Sequence, residues 1–564
     1  MGPSRLVAFL LIGAASSCAP LSARETTTSQ YTLYLAGVGK TAEAIHDYRM
    51  RVQEGEPHDF ELLRHLWLTL LQQGLASSNE VDQIMSLFGA GMAEHPSLLP
   101  ILRAGLSNPN PQVQLLSIQL LARRHDDIAD ELINHAVTSP YVLTRLEAIY
   151  QLTLKRHPAA LGQIEAILVR LPPEAEPLFP QLYAMIGDAH ADKRLHQMLG
   201  SSNGDTRCAS LAAIAGMGRD DFLPTVRTLS YQLDLPQQEA AAAALGKLGD
   251  ELSSDRLTAL SQSSDDQVRL AALLSLYQLG RLHLASQIEE EALAGNPYAI
   301  AALAEVAGSE ECLVQILRSK SGVECANAAL ALLQRRDRRC LPVIEQILLR
   351  REGDIGLLPH RSVGGSLGYF KVYPSLEQQF KDQPSAIELA RQLREQLLLE
   401  ALHLDEEDFL RLASRIFSER QNDLVPTAVA LLENLRTERA IALIKQGQQQ
   451  PGAPLVRDYC TLALYRLGEP GPWEDLVLEW VERERHLDLI QLRPVLPWEQ
   501  RSTGEGATPY QITAEEGSRL LVESLEALAK KQSNRAIDAI LQTMEKGNAH
   551  NRYALAGLLA LATQ

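Results

Sequence analysis

One short pattern returns every 31 residues, and that return constrains the fold more than any other feature of the chain. The window 265–276 reads Asp265, Asp266, Gln267, Val268, Arg269, Leu270, Ala271, Ala272, Leu273, Leu274, Ser275, Leu276. Moving toward the N-terminus from Arg269 in units of 31 reaches Gln238, Arg207, Glu176, Arg145 and Gln114, and one unit forward reaches Ile300. Each of these positions except Glu176 opens a run of small and branched aliphatic residues, such as Ala240 to Leu245 or Ala209 to Ile214. The copy around Glu176 is degraded and contains Pro177 and Pro180. A shorter step reaches Cys325 to Leu333, and after a break the pattern returns at Val456 to Leu464 and at Asn551 to Leu559. Internal repetition at such a period marks a stacked array of small units.

The spacing within one unit is that of two helices. Asp265, Asn296 and Asn203 stand where a side-chain oxygen can cap a second helix. Val268 and Leu274 recur at helical spacing as inward residues, with Ala271 and Leu273 beside them, and a small residue there lets neighbouring helices approach. Gly246 and Gly249 are expected to end the second helix and start the next turn. One such helix pair cannot bury its apolar side alone, whereas stacked pairs can. The high Ala and Leu content, with only 5% aromatic residues, fits helices packed through small aliphatic side chains.

The window 265–276 resembles the second-helix signature of HEAT repeats, D-x-x-V-R-x-x-A-x-x-A-L. The 31-residue unit is short for HEAT repeats and is similar to the compact variety found in phycobilin lyases and in many bacterial scaffold proteins. The resemblance covers residues 85–350, and 385–564 more loosely. It implies an all-α fold, a HEAT-like α-α superhelix (solenoid) with two non-helical insertions. It also implies a concave face of successive second helices that could hold an extended partner.

The N-terminus reads as an export signal. Arg5 supplies positive charge, and residues 6–15 form an apolar run of ten residues, too short to span a bilayer as a helix. The run ends in Ala15, Ser16, Ser17 and Cys18, which resembles the lipobox of bacterial lipoproteins, although Ala15 stands where Leu is usual. The resemblance implies a lipidated Cys18; cleavage without lipid near Ala19 or Ala23 is the alternative. The expected organisation is a signal peptide at 1–23, a short tether at 24–30 and an N-terminal helical cap at 31–85. HEAT-like repeats at 86–351 follow, then a Gly/aromatic insertion at 352–384, helical repeats at 385–490, a Pro/Trp loop at 491–511 and C-terminal helical repeats at 512–564.

The two insertions carry the residues expected to touch a partner. Glycines at 353, 356, 364, 365 and 368 alternate with Tyr369, Phe370 and Tyr373, a composition that does not make a helix. Pro494, Pro497, Trp498, Gly504, Gly506 and Pro509 break the second stretch. Long loops in a packed fold are functional or disordered. Tyr369, Phe370, Tyr373 and Trp498 are therefore candidate partner contacts, as aromatic anchors on loops; loops folded back onto the repeats are the competing expectation.

Residues 37–41 (Gly-Val-Gly-Lys-Thr) miss the phosphate-loop pattern because Tyr34 stands where glycine is required, so they read as a loop between helices. No His-Glu dipeptide occurs, so the iron ligands of HEAT-repeat hydroxylases have no counterpart. His190 and His196 with Asp188 and Asp192 could approach a metal, but read more simply as surface polar residues. The acidic run Glu289, Glu290, Glu291 reads as a solvated helix face. Cys208, Cys312, Cys325, Cys340 and Cys460 are scattered and lack metal-ligand spacing, which predicts buried unpaired thiols. The expectation is no catalytic residue, no metal and no cofactor. A net charge of −17 argues against nucleic acid, and the basic cluster Arg335, Arg336, Arg338, Arg339, with Arg350 and Arg351, reads as a helix end in solvent. The expected function is an exported, lipid-anchored scaffold for another protein in the cell envelope, in the periplasm or at the outer membrane, with the membrane reached through lipid alone. The alternatives are a lyase-type enzyme, marked by a bilin-sized cleft of acid and tyrosine residues, and a secreted factor binding a host or neighbour protein.

Overall fold

The computed structural model describes residues 22–53, 57–349, 357–362, 364–372, 384–489, 491–494, 510–513 and 516–564. Cys18, Tyr373, Trp498, Arg350 and Arg351 lie outside the described residues. Among the described residues helices dominate, and the strands form two antiparallel ribbons, β1 (Leu357–Arg361) with β2 (Gly368–Val372) and β3 (Gln491–Pro494) with β4 (Tyr510–Thr513). Among the described residues, no helix is long and apolar enough to cross a membrane. The chain divides into two compact units. One comprises Met1–Ala104, Glu484–Ile490 and Leu528–Gln564, and the other Gly105–Arg483 and Gln491–Ala527.

The larger unit is a row of helical hairpins, and the 31-residue repeat is visible in its hydrogen bonds. Asn110, Asn203, Asp265 and Asn296 all fall on that period, and the side chain of each accepts a backbone N–H at the start of a second helix. At the C-terminal ends of five second helices the left-handed residue also recurs every 31 positions: Arg156, Gly187, Gly218, Gly249 and Gly280 all have positive φ. Glycine adopts that conformation without a Cβ penalty. After Gly218 and Gly249 the next residue closes the helix, Arg219 N–H on Ile214 O and Asp250 N–H on Leu245 O, both at 3.0 Å.

The repeat's Arg or Gln has a physical task. Gln114 donates to Asn108 O at 2.6 Å, Arg145 to Ser139 O at 2.8 Å, Arg207 to Ser201 O at 2.7 Å and Arg269 to Ser263 O at 3.1 Å. In every case the acceptor lies six residues earlier, in the linker between the two helices of one hairpin. The long side chain thus satisfies a carbonyl that neither helix can use.

Second helices pack on second helices along the row, as Gly204–Gly216 on Leu235–Lys247 and Leu235–Lys247 on Asp266–Gln278. Val268, Ala271, Leu273 and Leu274 are all buried, as the helical spacing predicts. Gly249, at φ +70°, ends its helix as expected, but Gly246 does not. It lies inside Leu235–Lys247, where an added Cβ would run into the Ser275 side chain, so it is a point of close helix approach. The degraded copy shows what its prolines do: Pro173–Leu178 is a 3-10 turn and the helix after it, Pro180–Ile186, has only seven residues. Glu176 there accepts from Ser201 Oγ at 2.7 Å and Thr206 Oγ1 at 3.0 Å of the next hairpin.

The smaller unit joins segments from both ends of the sequence. Helix Arg552–Ala562 packs on Phe60–Ala76 and Glu80–Ala93, and Asn534–Lys546 packs on Thr41–Gln53. Gly557 meets the backbone of Gly89 so closely that neither has room for a side chain, and Tyr553 fills the space over Gly74. Glu545 pairs with Arg49 and with His46, and Asn551 accepts from Leu489 N–H at 2.9 Å while donating to Leu487 O at 2.7 Å. Residues 24–30, expected as a tether, lie within helix Ser22–Gly37. Val38 to Lys40 form the loop between that helix and Thr41–Gln53, with Gly39 at φ +80°.

Both insertions contain a pair of antiparallel strands, and beyond the first a helix begins at Pro384. The basic cluster is largely neutralised rather than free in solvent. Arg335 pairs with Glu310, Arg338 with Asp408 at 3.0 Å, and Arg339 with Asp337 at 2.6 Å and Glu311.

Candidate functional site

The most elaborate polar arrangement outside the repeat scaffold is the seat of the β1–β2 hairpin. Its tip reaches helix Leu235–Lys247. There the Glu239 carboxylate, only 1% exposed, accepts from Gly364 N–H at 2.7 Å and from the Ser366 hydroxyl. A Cβ on Gly364 would collide with the main chain at Pro236 and Ala240. One hairpin further, Gln267 Nε2 lies 3.4 Å from the Tyr369 hydroxyl. At the next, the Tyr298 hydroxyl bonds Ser366 Oγ at 2.8 Å, and the Tyr298 and Tyr369 rings meet edge to face at 6.1 Å. Burial, with the Glu239 charge adding, pushes the Tyr298 hydroxyl above the usual tyrosine range. At the fourth, the Asn327 carboxamide clamps the main chain of Phe370: Oδ1 accepts from its N–H at 2.8 Å and Nδ2 donates to its carbonyl at 2.9 Å.

This clamp fixes the strand register. With its N–H and carbonyl turned to Asn327, Phe370 must pair with Pro359 without ladder hydrogen bonds, the one kind of pairing a proline tolerates. His360 pairs with Tyr369, their rings 5.2 Å apart.

The hairpin therefore lies along the second-helix face of four successive hairpins. Gln267 and Tyr298 stand in the 31-residue register of Leu143, and Glu239 in that of Leu146. Nearer the N-terminal end of the row, the same face is open and apolar. Leu143, Tyr150 and Leu154 form an exposed stripe along helix Val142–Leu154. Tyr150 is 44% exposed.

Of the four aromatic residues expected as partner anchors, Tyr369 is 5% exposed and turned into the seat, and Phe370 is half-buried with its main chain clamped. Tyr373 and Trp498 are outside the described residues. The residues that hold the hairpin, Glu239, Gln267, Tyr298 and Asn327, were not singled out from the sequence. Their signal was a polar or aromatic residue in the outward register of helices otherwise filled with Ala and Leu.

A cavity of about 490 Å³ adjoins the hairpin, with Glu305, Glu400, His360, Arg361 and Tyr369 on its walls among aliphatic residues. Elsewhere the histidines and carboxylates considered as ligands have structural partners. Asp188 caps its helix by accepting from His190 N–H and Ala191 N–H, Asp192 pairs with Arg219 at 2.7 Å, and His196 stacks on Phe222. No cluster able to hold a metal ion occurs among the described residues. Cys208, Cys340 and Cys460 are buried and Cys312 and Cys325 partly so, all as free thiols. Burial pushes Cys208 up to about 11 and Cys340 up to about 12.

The architecture is an all-α HEAT-like α-α solenoid, and a site made of helix faces rather than of reactive groups defines a protein of the helical-repeat class. Residues 192–277 match the family model described as HEAT repeats. No curated protein matches the chain. Among solved structures, UNC-45 from Drosophila melanogaster is similar at 14% identity over 96% of this chain and 88% of that one, with a TM-score of 0.32. Kap121p is similar at 11% identity over 93% and 76%, with a TM-score of 0.31. The karyopherin Kap121p bound to the SUMO protease Ulp1p is similar at 10% identity over 94% and 78%, with a TM-score of 0.32.

Proposed function

We propose that this chain is a non-enzymatic scaffold that is exported to the cell envelope, held in the periplasm or at the outer membrane by lipid on Cys18, and binds another protein along its second-helix face. One observation carries the reading: a stretch of polypeptide, the chain's own β1–β2 hairpin, is already seated on that face through main-chain and side-chain bonds from four successive helices. A surface that holds one extended segment has the geometry to hold another, and its uncovered continuation at Leu143, Tyr150 and Leu154 is apolar, as a partner-binding surface requires. The net charge of −17 steers a basic partner to it.

A crosslinking pull-down from intact envelopes, run beside a control lipoprotein and beside Cys18→Ala, tests the proposal. The expected result is one or more proteins enriched over the control, and a Cys18→Ala chain that leaves the membrane fraction. Enrichment equal to the control would remove the scaffold; unchanged fractionation would remove the lipid anchor, and recovery in the medium would favour a secreted factor.

A lyase-type enzyme is the second reading. The cavity beside the hairpin favours it, because glutamates and a tyrosine share its wall and its volume lies in the range of small-molecule sites. Titration of the purified chain with a linear tetrapyrrole tests it: a shifted absorbance spectrum supports a bilin site, and an unchanged spectrum removes it.

A further inference from the structure

We infer that the seat from Glu239 to Asn327 recognises a specific kind of segment, and that a protein partner supplies a copy of it: a glycine, a hydroxyl residue two positions on, a tyrosine three beyond that, and then extended backbone. The inference deepens the scaffold reading and rests on it.

The requirement follows group by group from the hairpin now in place. Glu239 is a desolvated carboxylate with little access to water, so it must be given donors. It receives two, the Gly364 N–H and the Ser366 hydroxyl. The first position admits only glycine, because any Cβ there meets the main chain of helix Leu235–Lys247. The second requires a hydroxyl, because it bonds Glu239 and the Tyr298 hydroxyl together. The tyrosine position sits between Tyr298 and Gln267. The last contact, the Asn327 clamp, reads backbone alone and accepts any residue in a strand.

The chain's own hairpin meets this requirement and occupies the seat at an effective concentration on the order of millimolar. A free segment making only the same contacts cannot displace it. A partner can, if it also engages the open stripe at Leu143, Tyr150 and Leu154, which continues the same face three hairpins away, at about 10 Å per helix. The hairpin is thus a resident mimic of the partner's segment.

The test uses a fluorescein-labelled peptide spanning residues 360–370 and the full chain. Gly364→Val expels the tip, because its side chain cannot enter beside Pro236 and Ala240. Replacing residues 357–372 with a short Gly/Ser linker empties the seat by a second route. Far-ultraviolet circular dichroism identifies which variant keeps its helices, and that one is read. By fluorescence anisotropy the peptide binds the emptied chain at least tenfold more tightly than wild type, and adding Glu239→Gln abolishes the gain. An emptied, helical chain that binds no tighter than wild type would overturn the inference, as would a gain that survives Glu239→Gln. Peptide binding with no protein enriched from envelopes would sink the scaffold alone. Enrichment of a partner with no peptide binding would sink the seat alone.

Discussion

Asn327 and Phe370 form a closed pair of hydrogen bonds between one side chain and one residue's main chain, 2.8 and 2.9 Å long. The carboxamide does for β2 what a neighbouring strand would do, supplying one acceptor and one donor to an edge residue. Asn327→Ala leaves both Phe370 groups without that partner, at a cost of about 1–3 kcal/mol. The expected outcome is faster hydrogen exchange at the Phe370 amide, by about tenfold or more, with the amides of helix Asp266–Gln278 unchanged. Exchange at Phe370 equal to wild type would show that the clamp contributes nothing to seating the hairpin.

Gly246 tests the packing of second helices. In an open helix, Gly→Ala stabilises by up to about 1 kcal/mol. Here the new methyl must displace Ser275, which donates to Ala242 O at 2.8 Å, and overpacking of that kind costs about 1–3 kcal/mol. Gly246→Ala therefore lowers stability in a denaturant titration. Ser275→Gly makes room for the methyl, so the two changes together cost less than the sum of each alone.

A buried ion pair anchors the return to helix after the first insertion. Arg394 is fully buried, pairs with Asp423, and also donates to Leu348 O and to Gln421 Oε1. Arg394→Met leaves Asp423 without its guanidinium and Leu348 O without its donor, which costs about 3–5 kcal/mol. Arg394→Met with Asp423→Leu removes both charges and recovers part of that loss in chemical unfolding.

Acid sensitivity has an identifiable contributor in Asp250. The Arg227 guanidinium beside it, helped by the Ser253 hydroxyl and opposed by burial, holds its carboxyl below the usual carboxylate range. A carboxyl with a depressed folded-state pKa stabilises the fold above its unfolded value, about 3.9, and that stabilisation disappears as the pH falls through the folded value. Wild type therefore exceeds Asp250→Asn in stability at neutral pH, and the difference shrinks toward zero as the pH falls below about 3.9. A difference independent of pH would show that the carboxylate charge is not what matters.

The repeats were legible because everything that makes them is local. The capping Asn203, Asp265 and Asn296, the helix-ending Gly249 and the inward Val268 each act inside their own 31-residue unit. Gly246 was misread because a glycine near a helix end and one at a helix crossing look alike in a sequence. The hairpin seat was hidden because its pairs are remote: Glu239 is 125 residues from Gly364, and Gln267 is 102 from Tyr369. The approach of Gly89 to Gly557 leaves even less trace, since only the finished packing gives those glycines a reason. Tyr369, expected as a partner contact, turns into the seat, because an aromatic residue on an insertion anchors the insertion itself as readily as it anchors a partner.

The scaffold proposal puts a partner on the second-helix face and not on the first-helix side. Photo-crosslinking amino acids placed at Tyr150, exposed on second helix Val142–Leu154, and at Lys193, exposed on first helix Ala189–Leu199, separate the two surfaces in intact cells. Discrete higher-mass adducts are expected from position 150 and none from position 193. Adducts of equal yield from both positions, or from position 193 alone, would contradict it.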